Sequence, residues 1–116
     1  MSDVTIYHNP ACGTSRNALA LLRDRGVEPT IVEYLKAGWT EIQLDLLLAR
    51  LGVPARDILR VRGTSAEELG LTDPDVPQAR LIAAMIADPV LVERPIVVTP
   101  KGAALCRPAE RVLSLL

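Results

Sequence analysis

The pattern of hydrophobic and polar positions begins with a βαβ unit. An alternating run at residues 4–7 predicts a first strand. Residues 14–25 then predict a helix, because Leu19 and Leu22 lie three positions apart on one face. Residues 29–34 (Pro-Thr-Ile-Val-Glu-Tyr) predict a second strand. A strand, a helix and a strand at this spacing indicate two parallel strands joined by a right-handed crossover.

The middle of the chain reads as helical. Residues 40–43 (Thr-Glu-Ile-Gln) form a capping box ahead of a leucine stripe that ends at Gly52. A short helix is predicted over residues 54–60. A second capping box at residues 65–68 predicts another helix start, and a further helix is predicted from residue 75 or 76 until Pro89.

The last part of the chain returns to strands. An apolar run at residues 96–99 and a second run at 103–107 predict an antiparallel hairpin, followed by a helix over 109–115. The element order is therefore β-α-β, a helical segment, then β-β-α. This order predicts an α/β fold with a thioredoxin-like four-stranded mixed sheet. We expect a single domain over residues 1–116, with a helical insertion at about 36–90 between the two halves.

Composition narrows the class of protein. The chain has 116 residues and a net charge of −1, which gives no support for nucleic-acid or membrane-surface binding. Cys12 and Cys106 are too few and too far apart for a disulfide framework or a zinc site. We expect no signal peptide, and no apolar run reaches the ~18 residues that would span a membrane. A reducing, cytoplasmic setting is the expectation.

The loop His-Asn-Pro-Ala-Cys-Gly-Thr-Ser-Arg at residues 8–16 carries the candidate chemistry. It places Cys12 at the start of the first predicted helix, where free backbone N–H groups and the helix dipole favour an anion. Both effects stabilise a thiolate or an oxyanion bound beside it. Gly13 allows a tight turn, and Thr14 and Ser15 add hydroxyl donors. We therefore predict that Cys12 is a nucleophile in an oxyanion-binding loop.

The neighbours of Cys12 leave several alternatives open. Ser15 stands where a Cys-x-x-Cys redox loop has its second cysteine, so resolution requires an external thiol or Cys106. The Ser15 hydroxyl is expected to bond the sulfur or the bound anion, or else to serve the first helical turn. His8 is expected to support the thiol electrostatically or structurally rather than transfer a proton. Cys106 lies in an apolar strand and is expected to be buried and inert.

Arginine supplies all but two of the 13 basic residues, the exceptions being Lys36 and Lys101. Its planar guanidinium grips oxyanions through two parallel hydrogen bonds. Arg94 precedes Pro95 just before the third strand, where thioredoxin-like folds hold a cis-proline beside the active cysteine. Arg107, at the end of the hairpin, and Arg60, in the insertion, could reach the same oxyanion; each alone could equally be a surface charge.

The chain resembles the glutathione- and glutaredoxin-linked arsenate reductases, a thioredoxin-fold family, over nearly its whole length. The resemblance rests on residues 7–17, 67–71, 94–100 and 105–108. It implies that Cys12 attacks arsenate, that His8 assists the cysteine, and that Arg60, Arg94 and Arg107 hold the oxyanion. Two departures are visible. Arg62 competes with Arg60 for one role, and the sequence stops at Leu116 where familiar members carry a further tail.

The resemblance also implies a reaction. Arsenate is reduced to arsenite through a Cys12 adduct, with glutathione as co-substrate, glutaredoxin as partner, and no metal or bound cofactor. Mycothiol or thioredoxin could replace glutathione. Two other readings stay open: a thiol-dependent reductase of the same fold with another substrate, and a non-enzymatic regulator like the Spx-type transcription adaptors. Those regulators typically carry a Cys-x-x-Cys switch, which Ser15 interrupts.

Overall fold

The computed structural model describes residues 3–116. They divide into two compact units, which are described separately: residues 3–37 with 94–116, and residues 38–93. Among the described residues, no helix is long and apolar enough to cross a membrane.

The first unit contains the whole sheet. Its strands are β1 (Thr5–Tyr7), β2 (Thr30–Val32), β3 (Ile96–Thr99) and β4 (Gly102–Leu105), and they are arranged in the order β2-β1-β3-β4. β1 pairs with β2 in parallel and with β3 antiparallel, and β3 and β4 form an antiparallel hairpin. The predicted thioredoxin-like mixed sheet is thus confirmed, including the parallel βαβ unit and the hairpin.

Helix α1 (Gly13–Asp24) and a 3-10 helix (Ala109–Leu115) pack against each other and cover this sheet. The shared core is aliphatic, because small and branched side chains from the sheet meet one face of each helix. Its buried members are Val4, Ile6, Ala18, Leu22, Val97, Cys106, Ala109, Val112 and Leu115. The predicted final helix therefore exists, but as a 3-10 rather than an α-helix.

The second predicted strand ends earlier than expected. β2 stops at Val32, and Tyr34 begins a short helix, α2 (Tyr34–Ala37). The carbonyl of Glu33 accepts hydrogen bonds from the backbone N–H groups of Lys36 and Ala37, both at 3.0 Å. These local bonds draw the chain out of the sheet immediately after Val32.

The second unit is helical. It contains α3 (Glu41–Leu51), α4 (Gln78–Ala87) and two 3-10 turns at Ala55–Ile58 and Pro89–Leu91. The predicted capping box at the start of α3 is present, since the Gln43 N–H donates to the Thr40 hydroxyl at 3.1 Å. α3 ends at Gly52, which adopts the left-handed conformation with φ 68°.

Two predictions for this unit are wrong. Residues 65–68 start no helix: the Thr64 hydroxyl accepts from the Ala66 N–H at 3.2 Å, and the segment closes as a turn that ends at left-handed Gly70. α4 begins at Gln78 rather than at residue 75 or 76. The carboxylate of Asp73 accepts from the Asp75 N–H at 2.8 Å, which holds this stretch in a turn until Pro77.

Candidate active site

The loop from β1 to α1 presents a cysteine at the start of a helix. After β1, the His8 N–H donates to the Val32 carbonyl at 2.8 Å, which holds the loop on the parallel strand. The Cys12 N–H then donates to the Asn9 carbonyl at 3.0 Å and closes a tight turn over residues 9–12. Cys12 occupies the N-cap position of α1, with φ −94° and ψ 121°. Its sulfur therefore lies at the positive end of the helix dipole.

Three groups act on the half-buried thiol of Cys12. Burial by itself raises the pKa of Cys12, but the backbone N–H of Ser15 and the guanidinium groups of Arg107 and Arg94 outweigh it. The pKa of Cys12 is lowered as a result, which increases the thiolate fraction near neutral pH. Nη1 of Arg107 lies 3.7 Å from the sulfur. The arrangement suits a nucleophilic thiolate.

Arg94 and Arg107 place two guanidinium groups around this sulfur. Nη1 of Arg107 also donates to the Arg94 carbonyl at 2.9 Å, so the backbone of one arginine orients the side chain of the other. Arg94 is only 9% exposed, and its Nε and Nη1 atoms have no hydrogen-bond partner among residues 3–116. Buried donors without a partner are rare and costly. Two such donors beside a thiolate are suited to receive an oxyanion.

The peptide bond between Arg94 and Pro95 is cis, as predicted, and so is the bond between Arg107 and Pro108. The Cys106 N–H donates to the Pro95 carbonyl at 2.8 Å. This bond holds the segment that carries Arg94-Pro95 next to the segment that carries Arg107-Pro108.

His8 and Ser15 form a buried pair behind the nucleophile. Nδ1 of His8 lies 2.5 Å from the Ser15 hydroxyl oxygen, and the backbone N–H of Asn9 donates to the same oxygen at 3.1 Å. Burial lowers the pKa of His8 below 6.5; nearby Glu33 opposes this shift, and Arg23 and Arg16 add to it. The lowered pKa favours the neutral form of His8.

The sequence leaves two roles open for the Ser15 hydroxyl: a bond to the sulfur or the bound anion, and support of the first helical turn. The hydroxyl is engaged by His8 and Asn9, and it is the backbone N–H of Ser15 that acts on Cys12. Ser15 is the third residue of α1, and a third-residue N–H is the usual donor to an N-cap side chain.

Gly13 and Thr14 are the first two residues of α1, so their N–H groups belong to the helix start that was predicted to bind the oxyanion. Gly13 lies outside the tight turn, which closes at Cys12. A Cβ atom at Gly13 would lie 3.6 Å from Nη2 of Arg16, which is an ordinary contact distance. Neither a left-handed backbone conformation nor a close contact at the Cβ position therefore requires glycine here.

Arg60 lies in the second unit, where Nη1 is 2.8 Å from Oε1 of Glu93. Their backbones are held by a short antiparallel bridge between Leu59 and Val92. Arg62 is exposed.

Cys106 is fully buried, and burial raises the pKa of its thiol to about 11. The expectation that Cys106 is buried is confirmed, and its thiol stays protonated near neutral pH.

Sequence reasoning missed Asn9 as a member of the site. Its carbonyl and side chain both accept hydrogen bonds within the loop, from Cys12 and Ala11. The dipeptide Asn9-Pro10 was the available signal, because asparagine followed by proline favours the start of a turn. Among residues 3–116, no group of three or more His, Cys, Asp or Glu side chains is arranged to hold a metal ion.

The sheet order and the cysteine at the start of α1 define a thioredoxin-like protein with a thiol facing two arginines. The sequence profile of the ArsC family matches residues 7–115. An arsenate reductase of Rhizobium meliloti (strain 1021) is 51% identical over 113 residues, covering 97% of this chain and 81% of that protein. An arsenate reductase of Escherichia coli (strain K12) is 51% identical over 116 residues, covering 100% of this chain and 82% of that protein.

The structural comparison agrees. The structure of an arsenate reductase from Vibrio cholerae matches with a TM-score of 0.92 at 40% identity, and the match covers 97% of each chain. This protein therefore belongs to the ArsC family.

Proposed function

We propose that this protein reduces arsenate to arsenite with Cys12 as the nucleophile. The observation that carries the proposal is the pairing of a thiol of lowered pKa with the unpartnered, buried Nε and Nη1 atoms of Arg94. A tetrahedral oxyanion supplies the acceptors that these donors lack, and its central atom then lies near the sulfur. The names of the similar proteins indicate arsenate as that oxyanion.

The arginines bind the oxyanion and offset its charge. Arg94 and Arg107 contribute from the first unit, and the first N–H groups of α1, at Gly13 and Thr14, complete the cradle. Arg60 is the third proposed arginine, by resemblance to the family. Phosphate has nearly the same shape and charge, so discrimination comes from chemistry: a thiolate attacks arsenic readily and phosphorus poorly.

The chemical steps balance through two external thiols. The Cys12 thiolate forms a sulfur–arsenic bond and displaces one hydroxyl of arsenate, which takes up a proton from solvent and leaves as water. The thiol of glutathione replaces a second hydroxyl, which leaves as water with the thiol proton, and the thiolate of glutaredoxin then attacks the glutathione sulfur. That attack forms a mixed disulfide on glutaredoxin and leaves the electron pair on arsenic, which becomes As(III). Water finally releases arsenite and restores Cys12. His8 and Ser15 support the loop during these steps.

Glutathione and glutaredoxin are the proposed reductants, in keeping with a reducing compartment such as the cytoplasm. The buried Cys106, with its raised pKa, is unsuited to resolve the adduct, which favours external thiols. We also propose that the chain is one reductase domain with a helical insertion at about residues 36–90, and the compact unit at residues 38–93 supports this proposal.

The proposal is tested by arsenate-dependent oxidation of NADPH with glutathione, glutaredoxin and glutathione reductase. Thioredoxin and mycothiol systems are run in parallel, and phosphate replaces arsenate as the control substrate. Turnover with arsenate and none with phosphate is the expected result. Turnover only with thioredoxin or mycothiol would show that glutathione is not the reductant, and the proposed reduction of arsenate would stand. Absence of arsenate-dependent turnover in all three systems would refute the proposed function.

A further inference from the structure

Asn9 occupies the point at which the chain leaves the sheet and turns toward Cys12. It is only 5% exposed. Its side-chain oxygen Oδ1 accepts from the Ala11 N–H at 3.0 Å, and its carbonyl accepts from the Cys12 N–H at 3.0 Å. One residue thus holds the backbone N–H groups of the two residues that end the turn.

Asn9 is also tied to the first turn of α1. Its backbone N–H donates to the Ser15 hydroxyl at 3.1 Å, and that hydroxyl is held by His8 at 2.5 Å. Ser15 is the helical residue whose own backbone N–H acts on the Cys12 sulfur. The hydrogen bonds of Asn9 therefore connect both sides of the nucleophile, the turn before it and the helix after it.

The side chain contributes what the backbone cannot. A short side chain with an acceptor two residues before an N–H closes an Asx turn inside the backbone turn, which narrows the conformations open to residues 9–12. Ala11 is exposed, so water can replace the side-chain acceptor if Oδ1 is removed. Loss of Oδ1 should then cost little stability, and its main effect should be a wider range of orientations for Cys12.

We propose that Asn9 is a positioning residue for Cys12: its side-chain amide holds the turn over residues 9–12 that directs the sulfur toward the first N–H groups of α1. The inference deepens the proposed function, since it takes Cys12 to be the nucleophile. It does not depend on the identity of the substrate, because it concerns the free thiol.

The test is the pH dependence of alkylation of Cys12 by iodoacetamide in the full chain, with Asn9→Ala and Asn9→Ser. The matched control is Asp73→Ala, because Oδ1 of Asp73 accepts from the Asp75 N–H at 2.8 Å in the same type of turn within the second unit. Cys12 in Asn9→Ala should be alkylated at least about threefold more slowly than in wild type at neutral pH. The pH profile of its alkylation rate should also be displaced to higher pH. Asn9→Ser should recover part of the rate, since serine closes such turns more weakly. Asp73→Ala should match the wild type.

A second readout separates positioning from folding. Exchange of the Ala11 amide hydrogen should accelerate in Asn9→Ala at a temperature well below its unfolding midpoint. An unchanged alkylation profile in a folded Asn9→Ala protein would overturn the proposal. The same displacement in Asp73→Ala would overturn it too. Because no arsenate is present, these results stand apart from the outcome of the turnover assay.

Discussion

Arg107 and Cys12 are separated by 95 positions in the sequence, yet Nη1 of Arg107 lies 3.7 Å from the Cys12 sulfur. The same nitrogen donates to the Arg94 carbonyl at 2.9 Å, which fixes its direction. A guanidinium at this distance stabilises the thiolate more than the thiol. The contact therefore links the end of the hairpin to the reactivity of the loop.

Replacing Arg107 tests this link. Arg107→Ala should raise the pKa of Cys12 and lower its alkylation rate at neutral pH by about fivefold. This factor corresponds to roughly 1 kcal/mol, the net contribution of one charge-assisted hydrogen bond that water replaces. Arg111→Ala is the matched control, because Arg111 is an exposed arginine of the same unit. Equal alkylation profiles for wild type and Arg107→Ala would contradict the assigned role.

Arg94 should lower the stability of the free protein and strengthen its binding of arsenate. Its buried, unpartnered Nε and Nη1 atoms are costly in the free protein. In buffer without oxyanions, the free energy of unfolding of Arg94→Met should therefore exceed that of wild type by about 1 kcal/mol. Wild type should gain about 2.7 kcal/mol when arsenate reaches 100 times its dissociation constant, and the variant should lose most of that gain. Urea unfolding with and without arsenate measures both effects. A variant that arsenate stabilises as strongly as wild type would remove Arg94 from the binding site.

Cys106 predicts a loss of stability at alkaline pH. Its pKa is about 11 in the folded chain, above the value for an unfolded cysteine, so the native state binds the proton more tightly. The associated stability is present below about pH 8.5 and is lost as pH rises toward 11, amounting to at most about 3 kcal/mol. Urea unfolding at several alkaline pH values should show a shallower decline in Cys106→Ala than in wild type. Parallel declines in the two proteins would show that the thiol does not titrate as described.

His8 predicts the opposite dependence at acidic pH. It is the single histidine of the chain, so its imidazole signals in a proton NMR titration are unambiguous. Burial lowers the pKa of His8, so the native state binds this proton less tightly than the unfolded state does. The stability contributed by His8 is present above about pH 6.5 and is lost as pH falls through the lowered pKa. His8→Asn, which keeps a polar nitrogen for Ser15 but cannot titrate, should lack this component. A titration midpoint above 6.5 would show that burial does not control His8.

Much of the fold follows from local signals in the sequence. The alternating run before Cys12, the capping box at Thr40 and the apolar run at Ile96–Thr99 each correspond to the element that they predict. These signals work because each element satisfies its own backbone bonds or presents one apolar face. The capping box at residues 65–68 failed because Thr64 and left-handed Gly70 close a turn over the same residues.

The site was harder to predict than the fold. The position of Cys12 follows from the strand-to-helix loop, and the cis bond before Pro95 follows from the fold class. The approach of Arg107 to Cys12 depends on strand register and on the Arg94 carbonyl, neither of which a local pattern contains. For the Ser15 hydroxyl, the sequence leaves open a bond to the sulfur, a bond to the anion or a role in the first helical turn, because it does not show that His8 and Asn9 engage this hydroxyl.

The most direct test of the account is the amount of arsenite formed by wild type, Cys12→Ser and Cys106→Ser under identical conditions. Each protein is incubated with arsenate, glutathione and glutaredoxin, and arsenite is quantified after separation from arsenate. Wild type and Cys106→Ser should form arsenite at similar rates, and Cys12→Ser should form none above the protein-free control. Arsenite production by Cys12→Ser at the wild-type rate would contradict the claim that Cys12 is the nucleophile.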